Sequence, residues 1–149
     1  DTQAMMCAIT VGTVGTELST GEKIMTRMGG MTAKGGAHKR KDMAAMLTEG
    51  SVPQATWPDW LLVGMEKMRI APSAVNKQPW AFTVARDGDR WVISILETPG
   101  GYAIGTLKFA ALDTGIAASH LALALHARHP DVSVEETDGH AVWTLSVTD

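Results

Sequence analysis

Hydrophobic positions along this chain change period from one stretch to the next. From Met5 to Val11 they run without a break, Met-Met-Cys-Ala-Ile-Thr-Val, and Gly12 closes the run. A short apolar run with β-branched residues and a glycine stop predicts a buried strand. Lys39–Leu47 places Met43, Met46 and Leu47 on one helical face and predicts a short helix ended by Gly50. Val52-Pro53 breaks the chain, after which Thr56 is a candidate N-cap and Pro58 an early helix residue. Leu61, Leu62, Met65 and Met68 then recur at helical spacing, with Asp59, Glu66, Lys67 and Arg69 mostly opposite, and Pro72 ends the helix.

Beyond Pro72 the pattern changes. Trp80–Arg86 and Trp91–Leu96 alternate apolar and polar, with the turn signal Asp87-Gly88-Asp89 between them. Ile104 to about His126 is apolar almost all round, with small residues at Ala110, Ala111, Gly115, Ala117 and Ala118. Such a helix is buried on most sides and lets a neighbour approach closely. Pro130 stops it, and the strands Val132–Glu136 and Ala141–Val147 flank a second turn signal at Asp138-Gly139. The predicted order β-α-α-β-β-α-β-β gives an α+β fold, a mostly antiparallel sheet flanked by helices.

Composition refines this. The 149 residues suffice for one ordinary domain. Every aromatic residue lies at or beyond Trp57, and Thr13–Gly36 is rich in glycine and threonine, with little apolar area to offset its ordering entropy. That stretch reads as a mobile loop or as an arm lying on another subunit or module. Residues 1–50 are therefore expected to form a strand, an arm or linker and a short helix, and 51–149 the core. The net charge of −3 argues against nucleic acid or an anionic membrane as a main partner. Lys108, Asp113 and His120 interrupt the longest apolar stretch, and no secretory signal is visible, so a cytoplasmic protein is expected. The single Cys7 excludes an internal disulfide framework and reads as a core thiol.

The stretch Arg69–Phe82, Arg-Ile-Ala-Pro-Ser-Ala-Val-Asn-Lys-Gln-Pro-Trp-Ala-Phe, holds the most chemistry. Ser73, Asn76 and Gln78 present a hydroxyl and two planar amides between a helix and a strand. That set suits a flat, uncharged, hydrogen-bonding ligand edge, or a polar turn bonding its own backbone. Lys39, Arg40 and Lys41 are the only clustered cations; they suit a phosphate, or a solvated basic stretch. His126 and His129 are too few for a metal site, and His120 on the apolar helix reads as a core histidine. Gly12-x-x-Gly15 and Gly29-Gly30 lack the Lys-Ser/Thr of a P-loop. Glu135 and Glu136 point to opposite strand faces, and Asp113 in its apolar helix requires a partner.

The run Ala71–Phe82, with Pro72, Ser73, Asn76, Gln78, Pro79 and Trp80 in place, resembles the signature of the nitroreductase family of flavin mononucleotide (FMN) enzymes. Leu112–Ala124 is similar to that family's central helix, and the resemblance places Asp113, Gly115 and Ile116 in a helix that packs at a two-fold interface. The likeness is closest to the two-module, thermophile-type nitroreductases. Met5–Gly12 resembles their late strand, so the chain looks like a C-terminal portion. The family's Arg-rich opening segment is absent, and Ala81 stands where many members carry a basic residue.

The resemblance implies a long apolar helix at a dimer or pseudo-dimer interface. It also implies an FMN-dependent oxidoreductase passing electrons from NAD(P)H to a nitroaromatic, quinone or similar flat acceptor. Pro72, Ser73, Asn76 and Gln78 would bind the cofactor; with the family's Arg-rich segment absent, the clustered cations, Lys39 and Arg40 among them, would replace it at the phosphate. No side chain need act as acid or base, because the flavin carries the chemistry. The partner would be a second copy or a companion module. The alternative is a non-catalytic, structural or flavin-binding half of a pseudo-dimer.

Overall fold

The computed structural model describes residues 19–21, 23–24, 39–137 and 142–148. Its alternating stretches are strands. β1 (Trp80–Asp87) and β2 (Arg90–Glu97) form a hairpin with Asp87 opposite Arg90. A two-stranded ribbon follows, β3 (Ala103–Ile104) and β4 (Leu107–Lys108), and then β5 (Ser133–Thr137) and β6 (Val142–Thr148). The main sheet has the order β1-β2-β6-β5 and every pairing is antiparallel.

Alternation sorts the sheet into two faces. Trp80, Phe82 and Val84, then Trp91, Ile93 and Ile95, and Leu145 with Val147, are all buried in one cluster. Thr83, Ser94, Thr144 and Ser146 alternate with them and are half-buried. The apolar face is covered by helices α2 (Asp59–Arg69) and α3 (Ala110–His126), which follow the short α1 (Met43–Met46). Leu61, Met65 and Met68 of α2 join Ala117, Ala118, Leu121 and Leu125 of α3 in the same core. Each fully buried large side chain there contributes about 1.5–3 kcal/mol. The two helices approach closely at Gly64, where a Cβ would stand 2.8 Å from Leu125 Cδ2 and 3.1 Å from Leu121 Cδ1. Outside β1, Leu47 forms a parallel bridge with Phe82, and Thr48 and Val52 donate backbone N–H bonds to Phe82 and Val84, so the sheet edge is covered.

The α+β class stands as expected, with differences in the elements. The helix expected from Ile104 begins at Ala110, because Gly105 takes φ +58° and turns residues 103–108 into the small ribbon. The helix expected over Lys39–Leu47 shrinks to Met43–Met46; residues 39–41 bond to a distant loop, and Leu47 joins the sheet edge. Pro58, not Thr56, is the N-cap of α2, and Thr56 Oγ1 donates to Pro53 O at 2.7 Å within a 3₁₀ turn. The strand expected at Met5–Val11 and the Asp138-Gly139 turn lie outside the described residues, as does most of Thr13–Gly36.

By its contacts the chain divides into residues 1–36 and 37–149. In the first unit residues 20–21 and 23–24 are helical, with Lys23 N–H donating to Ser19 O at 2.9 Å. Among the described residues no helix is long and apolar enough to cross a membrane.

Candidate functional site

The segment joining α2 to β1 is irregular. Pro72 prevents the helix from continuing, and Ala74–Asn76 forms a single 3₁₀ turn. Val75, Asn76 and Gln78 take φ of +44°, +55° and +49°. A left-handed conformation is tolerable for Asn and unfavourable for a β-branched Val. Backbone of this kind costs on the order of 1–3 kcal/mol per residue and persists only where surrounding contacts impose it.

Those contacts come from three directions. Within the loop, Gln78 N–H donates to Ser73 Oγ at 2.8 Å, and Gln78 Nε2 to Asn76 O at 3.1 Å. From the strap 39–41, one Arg40 guanidinium nitrogen donates to Asn76 Oδ1 at 2.6 Å and to Ala71 O at 3.0 Å. Lys41 N–H donates to Gln78 Oε1 and Lys41 Nζ to Gln78 O, each at 2.8 Å. The Lys39 carbonyl accepts from Asn76 Nδ2 at 2.9 Å and from Gln78 Nε2 at 3.2 Å. From α3, Asp113 Oδ1 accepts the Ala74 N–H at 3.0 Å.

Charge around the loop is unevenly placed. Asp113 is only 2% exposed, and its Oδ2 is buried with no hydrogen-bond partner. Burial raises its pKa above the ordinary carboxylate value, and the Ala74 N–H opposes that shift in part. Arg69, at the end of α2, donates to the Lys41 carbonyl at 3.2 Å and grips Glu66 with two bonds of 2.6 Å. That grip is the main reason the Glu66 carboxyl sits below its ordinary pKa.

The six residues expected at the cofactor therefore lie on the loop 72–78 and on the strap bonded to it. Pro72 and Lys39 are exposed; Ser73, Asn76 and Arg40 are half-buried; Gln78 is 2% exposed. Their capacities differ. Both Gln78 N–H groups and one of its acceptor sites are engaged inside the protein. Asn76 retains one donor and one acceptor, Ser73 its O–H, and Lys39 its ammonium. Sequence reasoning missed the part played by Lys41 and by the Ala71 carbonyl. Asp113 was marked by its need for a partner, but a backbone N–H 39 residues away leaves no pattern in the chain.

A cleft of about 240 Å³ opens at the start of α3, lined by residues that include Glu97, Thr98, Tyr102, Lys108 and Ala110. Thr98 N–H donates to Pro79 O at 2.9 Å, which ties one wall to the loop's end. Tyr102 stacks on Phe109 with centroids 5.8 Å apart. His129 lies against Trp60 at 4.4 Å, and among the described residues no cluster of His, Cys, Asp and Glu could hold a metal ion.

The model of the family described as "Putative TM nitroreductase" matches residues 2–125. No curated protein matches the chain.

Proposed function

The chain belongs to the nitroreductase family, and on that premise we propose that it is an FMN-dependent oxidoreductase. In this reading FMN, when bound, accepts a hydride from NAD(P)H and delivers electrons to a nitroaromatic, quinone or similar flat acceptor in the cytoplasm. The protein's task is to hold and orient the ring. The observation that carries the reading is the constrained loop 73–78. Left-handed residues held by polar contacts on several sides concentrate where a ligand is bound. The remaining donors and acceptor of Ser73 and Asn76 suit the carbonyl and N–H edge of a flavin, and the exposed Lys39 suits its phosphate.

Pairing belongs to the same proposal. Leu112 is 58% and Leu123 73% exposed on α3, with the half-buried Ile116 between them on that face. An apolar stripe of this kind supports association with a second copy or a companion module.

A second reading, a non-catalytic half of a pseudo-dimer, draws on the engagement of Gln78 and Arg40 inside the protein. Titration with FMN, followed by flavin fluorescence on the oligomer, separates the two. Saturable quenching and a yellow protein are expected. Absence of binding in the associated protein overturns the flavin reading and leaves the second.

A further inference from the structure

We propose that Arg40 is a positioning residue that sets the orientation of the Asn76 amide, leaving phosphate recognition to Lys39. The inference rests on the flavin reading above and assigns the two cations different tasks.

A single nitrogen of the Arg40 guanidinium bridges Ala71 O and Asn76 Oδ1, at 3.0 and 2.6 Å. Ala71 precedes the left-handed residues and Asn76 is one of them, so one planar group ties the turn to the segment that leads into it. A guanidinium only donates, and the Lys39 carbonyl only accepts. Asn76 therefore has one consistent orientation, Oδ1 to Arg40 and Nδ2 to Lys39 O. Its unengaged donor and acceptor then face fixed directions, which is what a flat ligand edge requires. Both N–H groups of that Arg40 nitrogen are engaged, and the group is half-buried. The Lys39 ammonium, by contrast, belongs to an exposed residue and has no partner among the described residues.

Riboflavin lacks the phosphate of FMN and shares its ring, so the pair separates the two roles. Arg40→Ala is expected to weaken FMN and riboflavin by the same factor, about tenfold for loss of a charged hydrogen bond. The visible circular dichroism of the bound flavin should change at saturation, and the Asn76→Ala background should abolish the effect. Lys39→Ala should weaken FMN alone.

The proposal is overturned if Arg40→Ala weakens FMN and spares riboflavin, which makes Arg40 a phosphate ligand. It is also overturned if neither affinity moves, if the saturated spectrum is unchanged, or if the loss persists without Asn76. Should Arg40→Ala fail to fold, Arg40→Gln carries the same comparison by the same criteria. Failure of the flavin reading looks different: the unmodified protein then binds neither flavin.

Discussion

The helix-covered face of the sheet and the loop 71–78 are held by different forces. In the first, Phe82, Ile93, Leu121 and Leu145 are fully buried among apolar neighbours, and stability follows the area removed from water. In the second, half the side chains are polar, three residues take positive φ, and order depends on directed bonds from Arg40, Lys41 and Asp113. Area is forgiving of small shifts. A hydrogen bond at 2.6–3.0 Å is not, and a buried polar group left without its partner costs about 1–3 kcal/mol. A change in the core should therefore be read mainly in global stability, and a change at the loop mainly in local geometry and binding.

The largest effect tests the core side of this contrast. Phe82 packs edge-on against Trp57 with ring centroids 6.3 Å apart, and no part of it reaches solvent. Phe82→Ala is expected to cost about 3–5 kcal/mol in denaturant unfolding, from lost transfer energy and the cavity left behind. Measured under conditions where the variant is folded, its affinity for FMN should stay near that of the parent. A cost under about 1 kcal/mol, or a lost affinity in the folded variant, would break the distinction.

The same contrast explains what was legible in the chain. β1, β2 and α2 follow from periodicity, because burial on one face imposes a period of 2 or 3.6 on the residues themselves. The signature Pro72–Trp80 marked the loop, and Lys39–Lys41 marked the strap. Their meeting was not legible, since hydrogen bonds linking positions 36 and 37 residues apart impose no local pattern. Two helix ends failed for a related reason. Residues 39–42 and 104–109 are expected in helices, but tertiary bonds claim the first and the left-handed Gly105 turns the second.

A smaller effect, confined to a pH window, tests the attachment of the loop to α3. The folded Asp113 holds its proton to higher pH than the unfolded chain does, because burial raises its pKa. Between the ordinary carboxylate value and that raised value the native state binds more protons, so this group's contribution makes stability fall as pH rises. Glu66, whose pKa is lowered by Arg69, works in the opposite sense: its contribution is present above the unfolded value and fades as pH falls. Asp113→Asn keeps an acceptor for the Ala74 N–H and removes the titration. The urea midpoint of Asp113→Asn should therefore gain on that of the parent as pH rises from acid to neutral. Parallel profiles would show that Asp113 does not titrate between the two states.

The smallest effect concerns the loop's own backbone. Val75 sits at φ +44° and ψ +31° with its side chain 53% exposed, so it contributes little packing in return for an unfavourable conformation. Glycine removes the Cβ that makes this region costly to an L-residue, a relief of roughly 1–2 kcal/mol. Against that, the more flexible unfolded chain costs about 0.5–1 kcal/mol. Val75→Gly is thus expected to stabilise the protein by a few tenths of a kcal/mol to about 1 kcal/mol. Val75→Ala, which keeps the Cβ but loses the branch, should gain less. Equilibrium unfolding of the three proteins at one pH makes the comparison. A loss above about 0.5 kcal/mol for the glycine variant would mean that the Val75 side chain is held by packing. The loop would then resemble the core in what stabilises it.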